Sequence, residues 1–546
     1  MDIPVISDLI LKSMKANRIT GASVAIVNGT ETAVSHFGYS DKANKKAVDN
    51  STLFKIGSIT KVFTASAVMQ LAEQGKINID SPINEYIPEF SVKSRFKSTR
   101  PITVRDILCH HSGLPCDNLS GYVTDNPEAF HSVVPYLKNA YAVCHSGEMF
   151  YYSNLGYELL GVLISRASGM PYHKYIETVL LKNLGMENSA IVLSNEQKKL
   201  VSKPYRKGSE QTEPVMKTVP EDGIYSTAGD MLKFMKSIID GGNGLFEESS
   251  TLEKMVIPQY PDNAIDMNFI NGLGWFIGKP GLNHGGKVIW HDGGTPNFFS
   301  LLVIIPERQL GITLLTNSTT GALMNHTVSV TILQSLLREN YKIEVPVSRE
   351  KEPAQLFPQE MEQFTDRYFT LSGIAEISVS DKYLTAKLSS GKFRLDPQND
   401  GWFGLVFMLF GILPLKLKQL AMIRLGIPII NGERILATEQ LGFRSPQGKK
   451  YREHKITDIW KARTGTYFCV DKSNPHLKSL ILQYNKDGLS MLIKTNKLGR
   501  LIPYLEIVDD NEAVTVGYGR YSGETVFVSD NSLNVFGLEF RKVIPK

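Results

Sequence analysis

A short polar stretch carrying two prolines, Val345–Pro353, separates two parts of the chain that differ in pattern. Before it, helical and strand-like runs follow one another without a regular βαβ order. That pattern predicts an α+β domain over residues 1–344, with a mainly antiparallel sheet covered by helices. Beyond it, short alternating runs bounded by turn residues predict an all-β, barrel-like region over residues 355–546. We assign residues 345–354 as the linker.

A weak internal repeat predicts a further division of the C-terminal region. Phe364–Thr370 and Arg463–Cys469 share a Thr-x-x-Tyr-Phe core, which predicts two small barrels over about 355–458 and 459–546. The one long apolar run, Trp402–Pro414, is interrupted by two glycines and is too short to span a bilayer. We therefore expect a buried hairpin or an interface strand there, and no membrane contact.

The first candidate for chemistry is a serine at the start of a helical run. Gly57 supplies a turn, and Ser58 stands at the helix N-terminus with Lys61 three residues on, so both side chains share one face. A serine hydroxyl needs a neighbouring base, and a lysine can serve if its pKa is lowered. The same Ser-x-x-Lys spacing recurs at Ser94–Lys97 and Ser389–Lys392. The motif alone therefore also fits an N-cap serine beside a solvated lysine.

Two further polar segments add candidates. Tyr152 and Asn154 alternate in a loop and are expected to face one cleft. There the phenol would accept a proton if a lysine lowers its pKa, and the amide would contact a substrate carbonyl and orient the lysine. His291 begins His-Asp-Gly-Gly, in which Gly293 and Gly294 let a substrate backbone approach closely. The backbone N–H of Gly294 would be an oxyanion donor beside that of the serine. A structural aromatic–polar loop remains the alternative for the first segment.

Taken in order, the three motifs resemble those of the class C β-lactamase-like serine hydrolases. That group includes penicillin-binding carboxypeptidases, D-aminopeptidases and esterases. The resemblance covers about residues 5–341 and is supported by three further landmarks, which are Leu108–Pro115, Ser146–Asn154 and Gly223–Asp230. It implies a β-lactamase/transpeptidase-like domain with a helical subdomain. The C-terminal region is only loosely similar to the β-barrel additions of some D-aminopeptidase-like members, which by analogy would shape or cover the cleft.

The resemblance also implies an acyl-enzyme route. Ser58 would attack a carbonyl, Lys61 and Tyr152 would move the proton, and the N–H groups of Ser58 and Gly294 would hold the oxyanion. His291 would take the place of the family's lysine, protonating the leaving group or polarising Tyr152. The implied substrates are D-amino-acid-containing peptides or amides, or small esters.

One departure from the family bears on the substrate. Members that bind a substrate carboxylate tend to carry hydroxyls where this chain has Asp292 and Gly294. An Asp292 carboxylate in the cleft would repel an acidic substrate and favour an amine or a neutral one. If Asp292 instead points away and caps a turn, this inference lapses.

Composition limits the partners. Sixty basic and 55 acidic residues give a net charge of +5 without a long basic run, so nucleic acid binding is not expected. The segment Met1–Val5 starts no secretory signal, which predicts a cytoplasmic protein. The four cysteines are expected to be thiols in a reducing compartment, with a Cys109–Cys116 bridge left open. We expect no metal and no cofactor, since the sequence has no His-x-x-x-His pair or Cys/His cluster.

The leading interpretation is a metal-free serine hydrolase that acts on a small molecule or a short peptide. The alternatives are a penicillin-binding or sensor protein that is acylated by β-lactams but deacylates slowly, a β-lactamase, and a pseudoenzyme scaffold. The intact set of Ser58, Lys61 and Tyr152 argues against the pseudoenzyme. The sequence leaves the oligomeric state open, and a homo-oligomer is compatible with it.

Overall fold

The structure is a computed structural model. It describes residues 1–97, 99–124, 126, 128–346, 350–380, 382–415, 417–472, 474, 477–495, 499–529 and 531–543. Part of the linker that we assigned, residues 347–349, and the last three residues of the chain lie outside this set.

The N-terminal domain is built on an antiparallel sheet that has eight strands among the described residues. In spatial order the strands are Lys46–Ala47, Glu31–Asp41, Gly21–Asn28, Leu310–Thr316, Phe299–Ile305, Ile289–Gly294, Phe276–Ile277 and Ile270–Asn271. Every residue of Leu310–Thr316 is buried, because helices cover both faces of the sheet. Gly321–Tyr341 packs on one face together with Ile3–Asn17, and Ala228–Ile239 packs on the other.

A helical layer lies next to the sheet and is centred on Thr60–Glu73. Each residue from Thr60 to Leu71 is buried, as expected for a helix that is enclosed on all sides. It packs against Asn154–Ser168 and Val219–Asp222. The α-helices of the domain are Ile3–Asn17, Thr60–Glu73, Val104–Leu108, Val133–Leu137, Asn154–Ser168, Tyr172–Tyr175, Asn195–Leu200, Val219–Asp222, Ala228–Ile239, Ser249–Met255 and Gly321–Tyr341.

The first C-terminal unit is a closed barrel, which has eight strands in the part of the chain that the structure describes. In order these are Gly391–Pro397, Tyr383–Leu388, Gly373–Ser380, Asp366–Thr370, Phe443–Lys450, Leu436–Gln440, Ile423–Gly426 and Phe403–Leu409. Pairing of the first with the last closes the barrel. The short strand Leu413–Leu415 pairs with Phe403–Leu409 outside it, and the helix Pro358–Glu362 precedes the barrel.

The second C-terminal unit is an open half-barrel. Its strands, in order and within the described residues, are Gly499–Leu501, Gly488–Thr495, Leu477–Asn485, Gly465–Cys469, Leu538–Lys542, Ser532–Val535, Thr525–Ser529, Glu512–Thr515 and Leu505–Ile507. The predicted α+β domain followed by an all-β, barrel-like region is thus confirmed. The two copies of the weak internal repeat contain the strands Asp366–Thr370 and Gly465–Cys469, and each strand follows a short helix.

The apolar run that begins at Trp402 was expected to be buried, and the structure differs from this prediction at the tip of the hairpin. It does form a hairpin, and Phe403 and Val406 are buried in the barrel. The tip, however, is exposed, with Phe410 at 86% and Ile412 at 73%. The tip lies beyond the strand residues whose side chains face the barrel core, so nothing among the described residues covers it. None of the described helices is both long and apolar enough to cross a membrane.

The half-barrel is docked on the N-terminal domain through Leu119. This side chain, from the loop after Val104–Leu108, belongs to the apolar core of the half-barrel and is only 7% exposed. Its N–H donates to Phe536 O at 2.9 Å, and its carbonyl accepts from Asn474 Nδ2 at 3.1 Å. The loop therefore completes the core that the open sheet leaves incomplete.

We expect Leu119→Ala to lower the free energy of unfolding of the half-barrel by about 2–5 kcal/mol, because truncation leaves an apolar cavity in its core. Calorimetric thermal unfolding measures the change. Leu11→Ala is the matched control, since Leu11 is 53% exposed on the first helix. An unchanged transition in Leu119→Ala would show that the half-barrel core does not depend on this loop.

Candidate active site

Ser58 lies in a single turn of 3-10 helix, Gly57–Ile59, that leads directly into the helix Thr60–Glu73. It lines a cleft of about 420 Å³. Two other Ser-x-x-Lys matches lie elsewhere: Ser94–Lys97 is in an irregular loop, and Ser389–Lys392 spans a hairpin turn of the first barrel. Of these matches, the structure brings only Ser58 to the head of a buried helix.

The turn before Ser58 is held against the strand Ile289–Gly294 by backbone contact. Gly57 has φ +56°, and a Cβ on it would lie 3.0 Å from Gly294 N. A Cβ on Gly293 would lie 1.9 Å from Ile56 O, an oxygen that accepts a hydrogen bond from Ser300 Oγ at 2.5 Å. Side chains at Gly57 or Gly293 would push the two backbones apart. The glycines thus hold the backbone of Gly294 beside that of Ser58, where an oxyanion would need it.

Lys61 lies beneath Ser58 and is fully buried. Its Nζ donates to Ser58 Oγ at 3.3 Å and to Glu221 O at 3.2 Å. The carboxylate Oε2 of Glu221 is 3.6 Å from the same nitrogen. A buried ammonium is stable here because a carboxylate and two oxygen acceptors surround it.

These neighbours set the protonation of the site in a way that the sequence did not predict. Burial lowers the pKa of Lys61, but its interactions with Tyr152 and Glu221 outweigh burial and raise it overall. Burial raises the pKa of Tyr152 more than Lys61 and Ser58 lower it. Burial also raises the pKa of Glu221, although the positive charge of Lys61 opposes this and keeps the carboxylate paired with the ammonium. At rest the site therefore holds an ammonium and a neutral phenol, and neither residue meets the condition of a lowered pKa that proton acceptance would require.

Tyr152 is placed by His110, a residue that the sequence reasoning did not single out. The two rings stack with centroids 4.3 Å apart, and Lys61 Nζ is 5.0 Å from the centroid of Tyr152. Ser153 N donates to His110 Nδ1 at 3.1 Å, so this nitrogen carries no proton. Burial lowers the pKa of His110 well below its usual value, so the stacked ring is neutral. His110 lies within the family landmark Leu108–Pro115, but nothing in that segment indicated that its ring would stack on Tyr152.

Asn154 is the first residue of the helix Asn154–Ser168 and does not lie in a loop as predicted. Ser153 caps the helix by accepting from Gly156 N at 3.0 Å. Asn154 Nδ2 donates to Asp117 Oδ1 at 2.7 Å, which fixes the amide because a carboxylate only accepts. Among the described residues no partner is found for the buried Asn154 Oδ1, and it makes no hydrogen bond to Lys61. Asn154 lines the same cleft as Ser58.

His291 is 2% exposed and is not one of the described residues that line the cleft. Its Nδ1 donates to Asp292 O at 2.6 Å, and its ring stacks on Phe276 with centroids 4.5 Å apart. Burial lowers the pKa of His291 to about 4, despite the nearby Asp292. The ring is therefore neutral and does not reproduce the positive charge of the family's lysine.

Asp292 points to the other side of the sheet strand. It lines a separate depression with Trp290 and Phe443, and its Oδ2 accepts from His326 Nε2 at 3.2 Å. Burial alone would raise the pKa of Asp292, but the hydrogen bond and charge of His326 lower it to about 2. Of the two orientations considered for Asp292, the structure has the one in which the carboxylate points away from the cleft. The argument that Asp292 would repel an acidic substrate therefore lapses.

The half-barrel forms the opposite wall of the cleft. Its contributions are Leu477, Ile493, Leu501, Arg520, Tyr521 and Phe536. The glycine-rich segment around Arg520 marked a loop in the sequence, but nothing in it indicated a position next to Ser58. Asp117 and Glu221 were missed for the same reason, since each is near a landmark in sequence but reaches the site only in three dimensions.

All four cysteines are free thiols, so the Cys109–Cys116 bridge left open above does not form. Within the described residues, no group of three or more His, Cys, Asp or Glu side chains is arranged to hold a metal ion.

Comparisons with known proteins agree with this geometry. The protein-family model described as Beta-lactamase matches residues 6–333. The chain is 28% identical to protein flp of Staphylococcus aureus (strain N315) over 57% of this chain and 62% of that protein, so it spans less than two thirds of that relative. It is 24% identical to the D-alanyl-D-alanine-carboxypeptidase/endopeptidase AmpH of Escherichia coli (strain K12) over 60% of this chain and 88% of AmpH.

Two solved structures share the fold over most of the chain. The octameric penicillin-binding protein homologue from Pyrococcus abyssi has a TM-score of 0.57 and 22% identity, and the match covers 92% of this chain and all of that one. The structure of SurE has a TM-score of 0.58 and 20% identity, with 81% of this chain and 98% of that one covered.

We expect Gly293→Ala to slow the reaction of Ser58 with a fluorophosphonate by about 100-fold, because the new Cβ displaces the strand from the turn and withdraws an oxyanion donor. Intact-mass spectrometry over time gives the rate. Gly229→Ala is the matched control: this glycine is helical, and the nearest neighbour of a Cβ there would be 3.8 Å away. Equal rates for Gly293→Ala and the native protein would contradict the role of this contact.

The pKa of His291 predicts acid sensitivity. It is about 4 in the folded protein against 6.5 when unperturbed, so the unfolded chain binds the extra proton. The contribution of His291 to the free energy of unfolding is fully present above pH 6.5. It is lost as the pH falls toward 4, which lowers the free energy of unfolding by about 3 kcal/mol. Urea unfolding at pH 7 and pH 4 should show a smaller loss in His291→Gln. The surface variant His131→Gln should keep the native loss, and equal losses in all three proteins would refute the prediction.

Proposed function

Because the chain belongs to the β-lactamase family of serine hydrolases, we propose that it cleaves amide or ester bonds through an acyl-enzyme on Ser58. The observation that carries the proposal is the placement of Ser58 Oγ, in the wall of a cleft and 3.3 Å from the buried Nζ of Lys61. A nucleophile next to a proton-transferring group is the arrangement that acyl transfer needs.

In the proposed reaction, Ser58 Oγ attacks the carbonyl carbon and the oxyanion is held by the N–H groups of Ser58 and Gly294. The serine proton passes to Lys61 and Tyr152, which then deliver it to the leaving group. Lys61 must first be neutral to accept a proton. Glu221, with its raised pKa and 3.6 Å from Lys61 Nζ, is the group that takes up the lysine proton. Water then attacks the acyl-enzyme and releases the acid.

We propose D-amino-acid-containing peptides or amides, or small esters, as the substrate class. A cleft of about 420 Å³ suits a small molecule or a short peptide. The name of AmpH, a D-alanyl-D-alanine-carboxypeptidase/endopeptidase, and the existence of a structure of SurE with D-Leu support this class.

Intact-mass spectrometry with a fluorophosphonate, and separately with a penicillin, tests the proposal. We expect a fluorophosphonate adduct that is absent from Ser58→Ala and present in Ser389→Ala. Ser389 belongs to another Ser-x-x-Lys match, on the surface of the first barrel, and is the matched control.

The penicillin arm separates the alternatives. Penicillin that leaves no adduct and is not consumed favours a peptidase or esterase, and rapid consumption favours a β-lactamase. A long-lived penicilloyl adduct favours the penicillin-binding or sensor protein. Failure of both reagents to modify Ser58 would refute a serine hydrolase.

A further inference from the structure

We infer that the half-barrel supplies the cleft with a carboxylate-binding subsite centred on Arg520. The inference rests on the proposed function and narrows its substrates to esters or amides that carry a carboxylate under the half-barrel. The subsite is built from the C-terminal region and not from the strand Ile289–Gly294.

Arg520 is held in the cleft wall by the N-terminal domain. Its Nη2 donates to Asp117 Oδ2 at 2.6 Å and its Nε donates to Cys116 Sγ at 2.8 Å. Its guanidinium carbon is 5.9 Å from the ring centroid of Tyr152. The side chain is thus oriented before any ligand arrives, which reduces the entropy lost on binding.

The loop that carries Arg520 is itself fixed at both sides. Tyr521 N donates to Tyr151 OH at 3.1 Å, and Glu524 Oε1 accepts from Cys116 N at 2.9 Å. The position of the guanidinium therefore depends on contacts between the half-barrel and the N-terminal domain.

One side of the guanidinium remains open to the cleft. No acceptor among the described residues bonds to Nη1 of Arg520, and the side chain is 45% exposed. Asp117, its partner, already accepts from Asn154 Nδ2 and from Tyr521 OH at 2.8 Å. An arginine with an unused N–H edge binds a carboxylate through charge-assisted hydrogen bonds.

The remaining charges of the cleft do not oppose an anion. Glu221 is paired with Lys61 at 3.6 Å, and Asp222 is paired with Lys55 at 3.5 Å. Asp292 faces the other side of its strand, as described above. Each carboxylate that lines the cleft is therefore paired with a cation, and in the case of Asp117 that cation is Arg520 itself. An incoming carboxylate would meet the remaining Nη1 edge of Arg520.

The wall next to Arg520 is apolar. Leu477, Ile493, Leu501 and Phe536 line the half-barrel side, and Met216 and Phe299 line the other. An aliphatic chain that ends in a carboxylate would place its methylenes on this wall and its charge on the guanidinium. A substrate with a free amine at the same place would meet a cation and be disfavoured.

The test uses p-nitrophenyl monoesters of succinic, glutaric and adipic acid, each compared with its methyl-capped, uncharged form. Ser58 displaces p-nitrophenolate and becomes acylated, and water then releases the diacid or its methyl ester. We expect the native protein to prefer at least one acid over its capped form by about tenfold in kcat/KM, with an optimum chain length. Arg520→Gln should reduce this ratio about tenfold, and Arg520→Lys should retain part of it.

Two further variants control for structure. Removing Arg520 leaves Asp117 without its cation, so the double variant Asp117→Asn/Arg520→Gln removes both charges and should lose the same preference. Arg541 lies on the central strand Leu538–Lys542 of the same half-barrel, where it is 68% exposed and pairs with Glu539, and Arg541→Gln is the matched control. It should leave the ratio unchanged.

The outcomes separate the two proposals. Ser58-dependent hydrolysis with a ratio that neither Arg520→Gln nor the double variant changes would overturn the subsite and leave the serine hydrolase intact. A native preference for D-alanine p-nitroanilide, which presents an amine, over the acid esters would also overturn the subsite. Hydrolysis of none of these compounds by Ser58 would overturn both.

Discussion

The backbone contact between the Ser58 turn and the strand Ile289–Gly294 is the constraint on which the site depends. Gly57 and Gly293 let two main chains meet where any side chain would separate them. The strand belongs to a buried sheet and the turn leads into an enclosed helix, so both partners are rigid. The proposed nucleophile and the proposed oxyanion donor, which come from distant parts of the sequence, are thereby held in one geometry.

Three ion pairs surround the cleft, and each contains a buried charge: Lys61 with Glu221, Lys55 with Asp222, and Arg520 with Asp117. Burial disfavours a lone charge strongly, so the members of each pair depend on one another. The pairing also determines the chemistry. Lys61 can remain an ammonium beneath Ser58, and a carboxylate with a raised pKa lies close enough to accept its proton.

The C-terminal half-barrel is part of the site and not only an addition to the domain. It takes Leu119 into its core and places Arg520 opposite Ser58. The family match ends at residue 333, so the shared part of the chain contains the proposed nucleophile and its proposed proton-transfer partners but not this wall.

The sequence by itself determined the fold class, the division into two parts and the grouping of Ser58, Lys61 and Tyr152. Helix spacing and strand alternation are local properties of the chain, and the order of the motifs can be read along it. Only the tertiary structure decided that Asp292 faces away, that Asp117 fixes Asn154, and that Arg520 reaches the cleft. It also decided the protonation states, since a pKa depends on every group packed around it. Arg520 and Asp117 lie about 400 residues apart, and no pattern in the sequence encodes a contact over that separation.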